Sequence, residues 1–172
     1  MSKYEVVEKF VSINGEGTKA GQLAVFIRFK GCNLNCKYCD TKWANEQETP
    51  SQPMTEKEIL DYVLSTGVKN VTLTGGEPLL REGIENVITV LAENNLNIEI
   101  ETNGSVYLDK IRKLHKENVT FTMDYKLSCS GMEAAMNVDN FNILSSNDTV
   151  KFVAGCREDL IKAKQIIEKY NL

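Results

Sequence analysis

The sequence predicts an α/β fold built on a parallel sheet, with an extra strand at the N-terminus. Two patterns carry this reading. Short β-branched runs recur at 71–74 (VTLT), 98–102 (IEIET), 119–125 (VTFTMDY) and 149–153 (TVKFV), and helix-like segments fall between them. Strands that alternate with helices form right-handed βαβ units and hence parallel neighbours. The length of 172 residues, 42% of them hydrophobic, suits a single domain over 1–172 with a core of its own.

Taken along the chain, VVEKFVSINGEG (6–17) is the extra strand, ending in a glycine-rich turn, and AVFIRF (24–29) is the first parallel strand. Cysteines 32, 36 and 39 follow in the next loop, at the strand end where α/β folds bind ligands. Residues 42–54 read as a polar loop with two prolines. A helix over Thr55 to Ser65 is predicted by the capping box Thr55/Glu58 and by Gly67 just past its end. Leu80, Ile84, Val87, Ile88 and Leu91 make one helical stripe over 80–94; Leu160, Ala163, Ile167 and Tyr170 make another over 157–170. There is no internal repeat beyond the βα alternation, no low-complexity tract and no linker.

A net charge of −4, with no basic run longer than a pair, argues against a nucleic-acid partner. No stretch approaches the ~18 to 20 apolar residues of a membrane span, and the first residues do not resemble a signal peptide. A cytoplasmic protein acting on small molecules or proteins is expected. Five cysteines in a reducing compartment read first as metal ligands or reactive thiols.

GCNLNCKYCDT (31–41) brings three thiols together without help from distant chain. Structural zinc wants four ligands. The one histidine, His115, lies in the polar stretch KLHKEN and reads as solvent-exposed, so zinc would need Cys129 or Cys156. An iron–sulfur cube accepts three thiolates and leaves one iron open for an exogenous ligand. TGGEP (74–78) after the strand VTLT lets backbone approach a ligand at Gly75 and Gly76, and Glu77 offers a carboxylate to an ammonium; alone it is equally a strand-to-helix turn. Cys129 and Cys156 read as small buried side chains, with no histidine near them in sequence.

The spacing Cys32-x3-Cys36-x2-Cys39 after a first strand, with Tyr38 before the last cysteine, resembles the radical S-adenosylmethionine (SAM) superfamily. The resemblance implies a partial (incomplete) TIM-like β/α barrel and a 4Fe-4S cluster on the three cysteines. SAM would chelate the open iron, and its reductive cleavage would give a radical that abstracts a substrate hydrogen. It also places SAM against Gly75, Gly76, Glu77, Asn103, Asp124, Tyr125 and Lys126.

SINGEG (12–17), FIRFKGCNLNCKYCDT (26–41) and MDYKLSCSGM (123–132) are similar, within that superfamily, to the 7-carboxy-7-deazaguanine synthases. These contract 6-carboxy-5,6,7,8-tetrahydropterin to a deazapurine. That implies substrate contacts from the backbone of Ile13, Asn14 and Gly15 and from Arg28 and Thr74, a magnesium ion on Thr41, a flavodoxin-like electron donor and a homodimer. Arg28 has its own rationale, since a guanidinium at a strand end is a bidentate partner for a carboxylate. The family continues beyond the equivalent of Leu172, so an edge of the barrel is expected to lie open. No protein group is assigned to hydrogen abstraction itself. Two other readings stand beside this one: an activase that makes a glycyl radical on a partner such as anaerobic ribonucleotide reductase, and a zinc-stabilised or cluster-bearing binding module.

Overall fold

The computed structural model describes residues 3–114 and 117–172; the expectation for His115 lies outside them. Seven strands form one open sheet in the order β3-β1-β2-β4-β5-β6-β7. Strands β2 (Leu23–Phe29), β4 (Asn70–Gly75), β5 (Asn97–Thr102), β6 (Val119–Tyr125) and β7 (Thr149–Phe152) run parallel. The N-terminal strand β1 (Tyr4–Ile13), the extra strand expected within 6–17, pairs antiparallel with β2. β3 (Gln52–Met54) lies inside the stretch read as a loop and pairs antiparallel with β1. It is three residues long and carries Pro53, which an edge strand tolerates because its outer side needs no N–H.

Helix α1 (Glu56–Thr66) has the predicted capping box: the Thr55 hydroxyl accepts from the Glu58 N–H at 3.2 Å, and the Glu58 carboxylate accepts from the Thr55 N–H at 2.8 Å. Thr55→Ala is expected to cost about 1 kcal/mol, read as a drop of roughly 2–4 °C in melting temperature. Helix α2 (Ile84–Glu93) starts four residues later than its stripe predicts, because residues 78–80 form a 3-10 turn that leaves Leu80 exposed. Helix α3 (Asp109–Leu114) is short. Helix α4 (Arg157–Tyr170) has the predicted span but buries Asp159, Ala163 and Ile166, while Leu160 and Ile167 are exposed. The buried face is turned one position from the predicted stripe, because Asp159 is drawn inward by backbone donors described below.

The pleat sorts the parallel strands into two chemically different faces. Val71, Leu73, Ile98, Ile100, Val119, Phe121 and Met123 belong to the hydrophobic core with the buried residues of α1 and α2. Each such burial contributes roughly 2 kcal/mol. The intervening residues, Thr72, Thr74, Glu99, Glu101, Thr122 and Asp124, point to the other face. That face is the concave inside of the open barrel, and it is polar. β6 carries the pattern out to β7, where Asp124 pairs in register with Lys151.

Candidate active site

A cavity of about 310 Å³ opens at the C-terminal ends of the parallel strands. Cys32, Cys36, Cys39, Thr41, Arg28, Thr74, Gly75, Gly76, Asn103, Asp124 and Lys126 all line it, so the structure brings together the predicted residues from four separate strand ends. Cys36 is 7% exposed; burial pushes its thiol up, and the Lys126 ammonium opposes this. Cys32 Sγ accepts from the Leu34 N–H at 3.4 Å and from Asn103 Nδ2 at 3.5 Å, two donors that orient the sulfur in the wall.

TGGEP is held against the cysteine loop by backbone alone. The Gly76 N–H donates to Phe29 O at 3.3 Å and the Glu77 N–H to Gly31 O at 3.0 Å. Glu77 itself does not line the cavity. Its carboxylate is fully buried and accepts from Thr102 Oγ1 (3.0 and 3.1 Å), the Asn103 N–H (2.7 Å) and the Leu79 N–H (3.0 Å). Burial outweighs these donors and pushes its pKa up to about 7. Tyr125 also stays outside, as the pleat requires of a residue between Asp124 and Lys126: it stacks on Phe141 with ring centroids 5.7 Å apart.

Both lysines that line the cavity are ion-paired. Lys126 Nζ lies 2.7 Å from Asp124 Oδ2, and Lys151 Nζ lies 2.7 Å from Glu16 Oε2 and 3.9 Å from Asp124 Oδ2. Asp124 Oδ1 and Asn45 Oδ1 are buried with no hydrogen-bond partner, which leaves two acceptors in the wall for a ligand to satisfy. Arg28 Nε donates to Glu8 at 2.9 Å. The Thr41 hydroxyl, 2.6 Å from Asp40 Oδ1, adds a second hard oxygen beside the cysteines.

Ile13, Asn14 and Gly15 are not brought to this wall. Asn14 uses its N–H on Gln22 O and its carbonyl on the Gly21 N–H, both at 2.8 Å. Its side chain is buried against Glu99 and against Thr72 Oγ1 at 3.4 Å. The turn therefore acts as a plug in the barrel, and the next residue, Glu16, reaches the cavity. Sequence reasoning missed Glu16, Glu101, Thr122 and Lys151. The strict polar–apolar alternation of VTLT, IEIET and VTFTMDY was the signal that could have found the residues on β5 and β6. Glu101 accepts from Thr74 Oγ1 at 2.5 Å, and burial raises its pKa.

The sequence pattern of the radical SAM superfamily matches residues 26–126, the span from β2 to the end of β6 that supplies nearly all of this wall. The chain belongs to the radical SAM superfamily. A curated relative from Clostridium acetobutylicum named 7-carboxy-7-deazaguanine synthase is 59% identical over 98% of this chain and 76% of its own length. Relatives of the same name from Methanospirillum hungatei and Leptospira interrogans are 34% and 31% identical, over 96% and 99% of this chain and 68% and 78% of theirs. The crystal structure of QueE from Escherichia coli has the same fold, with a TM-score of 0.77 over 96% of this chain and 78% of that chain at 23% identity. The fold is thus the expected partial barrel, left open between β3 and β7.

Radical SAM proteins use a 4Fe-4S cluster and SAM, and the residues present fit both. The sulfurs of Cys32, Cys36 and Cys39 line one cavity but do not converge to within 4.8 Å of one another; among the described residues only Cys129, Cys156 and Asp159 form such a group. Thiolates on a single zinc stand roughly 3.8 Å apart, so the wider set suits a cluster and not one ion. The orphaned acceptors and the Lys126–Asp124 pair suit the ammonium, carboxylate and hydroxyls of SAM.

Proposed function

We propose that this radical SAM protein is a 7-carboxy-7-deazaguanine synthase, a lyase that converts 6-carboxy-5,6,7,8-tetrahydropterin to 7-carboxy-7-deazaguanine for queuosine-type nucleosides. The observation that carries the reading beyond the superfamily is the cavity facing the cysteines, whose wall combines a guanidinium, lysines and carboxylates on a small polar surface. A pterin with a carboxylate needs this mixture. Its aminopyrimidinone edge donates two N–H groups, and Glu101 and Glu16 are acceptors for them; its carboxylate needs a cation, and Arg28 supplies one. Thr74 fixes the Glu101 carboxylate from below. Ile13, Asn14 and Gly15 would act as the plug that carries Glu16 to the substrate.

When bound, the cluster and SAM supply the hydrogen-abstracting radical. Gly75 and Gly76 allow SAM to approach backbone, while Asn103, Asp124 and Lys126 bind its polar groups; Glu77 and Tyr125 hold those residues from behind. Asp40 and Thr41 offer oxygens to a magnesium ion, which prefers such hard donors. A flavodoxin-like donor, a homodimer and a cytoplasmic setting accompany the proposal. The whole chain, 1–172, works as one radical SAM domain, and none of its described helices is long and apolar enough to cross a membrane.

The test is anaerobic reconstitution with iron and sulfide, then SAM, magnesium, reductant and the tetrahydropterin, with products followed by mass spectrometry. 7-Carboxy-7-deazaguanine is expected, and Cys36→Ala should abolish both it and the visible absorbance of the cluster. Arg28→Ala should keep the absorbance and raise KM roughly 10- to 100-fold, the worth of a charge-assisted hydrogen bond. Formation of 5′-deoxyadenosine without the deazapurine would discard the substrate assignment and leave the radical chemistry.

A further inference from the structure

Cys129 and Cys156, read from sequence as inert buried side chains, are neither deeply buried nor apart. Both are half-buried free thiols, and their sulfurs lie 2.8 Å from each other across 27 residues of chain. That is well inside the roughly 3.5–4 Å at which unbonded heavy atoms rest. The local structure enforces the approach. Asp159 accepts from the Cys129 N–H with one carboxylate oxygen (3.2 Å) and from the Gly155 N–H with the other (3.0 Å), clamping the two segments together. Gly155 leaves room for it: a β-carbon there would stand 3.0 Å from Cys129 Cβ.

We infer that Cys129 and Cys156 are a redox-modification site, forming a reversible intrachain disulfide by exchange with a low-molecular-weight disulfide. A bridging zinc ion does not suit the pair, since it would hold the sulfurs roughly 3.8 Å apart, and the Asp159 oxygens are already engaged by backbone. The two thiols have different roles. Cys156 sits at the N-cap position of α4 without a side-chain capping bond, and Cys129 donates its S–H to the Cys156 sulfur, so the proton between the pair rests on Cys129. The neighbouring Cys156 and Asp159 push the Cys129 thiol up to about 12. The Cys156 thiolate therefore attacks the small disulfide and expels one thiolate. The Cys129 sulfur then attacks Cys156 in the mixed disulfide, its proton leaving with the second thiol. Two electrons pass to the small disulfide, which becomes two thiols.

The bond would close the wall behind the cluster loop. The Lys37 N–H donates to Ser130 O at 3.0 Å, one residue from Cys129, and Tyr38 Oη donates to Val153 O at 3.1 Å, three residues before Cys156. Both segments to be linked thus already grip the turn that carries Cys36 and Cys39.

The experiment takes the anaerobically prepared holoprotein, equilibrates it with glutathione disulfide, denatures it in alkylating reagent and maps tryptic peptides. The alkylation count is expected to fall from five to three, with peptides 127–151 and 152–157 linked and separable by reductant. Cys129→Ser should trap glutathione on Cys156. Five alkylated cysteines in glutathione disulfide would overturn the inference, as would a zinc ion retained by the holoprotein that protects both thiols. Neither readout depends on which substrate the enzyme takes.

Discussion

Gly76→Ala is expected to yield a protein that holds little or no cluster, although residue 76 is not a ligand. A β-carbon at this position would lie 2.2 Å from Gly31 O and 2.4 Å from both Gly31 C and Asn45 Oδ1. Two of these three are backbone atoms of the residue that opens the cysteine loop, and backbone cannot swing aside as a side-chain end can. The turn must withdraw or the loop must move. Either movement breaks the Glu77 N–H bond to Gly31 O. Overpacking of this kind costs about 3 kcal/mol or more, a fall on the order of 10 °C in melting temperature. Gly15→Ala is the control, since nothing lies within 4 Å of a β-carbon there. Iron content and visible absorbance after reconstitution decide the matter. Wild-type iron loading with an unchanged melting temperature in Gly76→Ala would mean that the two loops are not held together by this contact.

The same contact shows what kind of information the sequence carried. The cysteine spacing and TGGEP are local patterns on strand ends, and Cys32, Cys36, Cys39, Thr74, Gly75 and Gly76 face one cavity while Glu77 is buried behind it. The capping box at Thr55 is legible for the same reason, because all its atoms lie within four residues. What could not be read is set by distance and by pleat. Lys151 and Glu16 are 135 residues apart, yet they form one ion pair in the cavity wall because the sheet curls β7 toward the plug. Tyr125 belongs to a motif that points at SAM as a segment, but alternation turns that one side chain into the core. Leu160 and Ile167 form a plausible apolar stripe that the fold leaves exposed, because Asp159 one position away satisfies two backbone donors. Cys129 and Cys156 look inert in sequence and become a pair only when β6 and α4 are placed.

Glu77 is expected to make the protein lose stability as pH rises from 4.5 to 7, and Glu77→Gln to remove that loss. The carboxylate has no exposed surface, and its pKa is raised from 4.5 to about 7 because burial outweighs its donors. A raised native pKa means that the folded protein keeps a proton the unfolded chain has already released. The resulting stabilisation is complete below pH 4.5 and is lost as pH passes through 7, by about 3 kcal/mol in total. Glutamine is neutral throughout, so it has no such slope. It also meets the N–H groups of Leu79 and Asn103 with a single acceptor oxygen, so at pH 5 it should be the less stable protein. Urea unfolding of both proteins between pH 5 and 8 should show the gap closing by about 3 kcal/mol, and a constant gap would refute the assignment. Glu77→Ala goes further, since it strands the Thr102 hydroxyl and two N–H groups in a dry space. Asn103 is then free to shift, and with it the amide that reaches Cys32 Sγ. SAM affinity should fall about tenfold in that variant, roughly the worth of one hydrogen bond, even though Glu77 never touches the cavity.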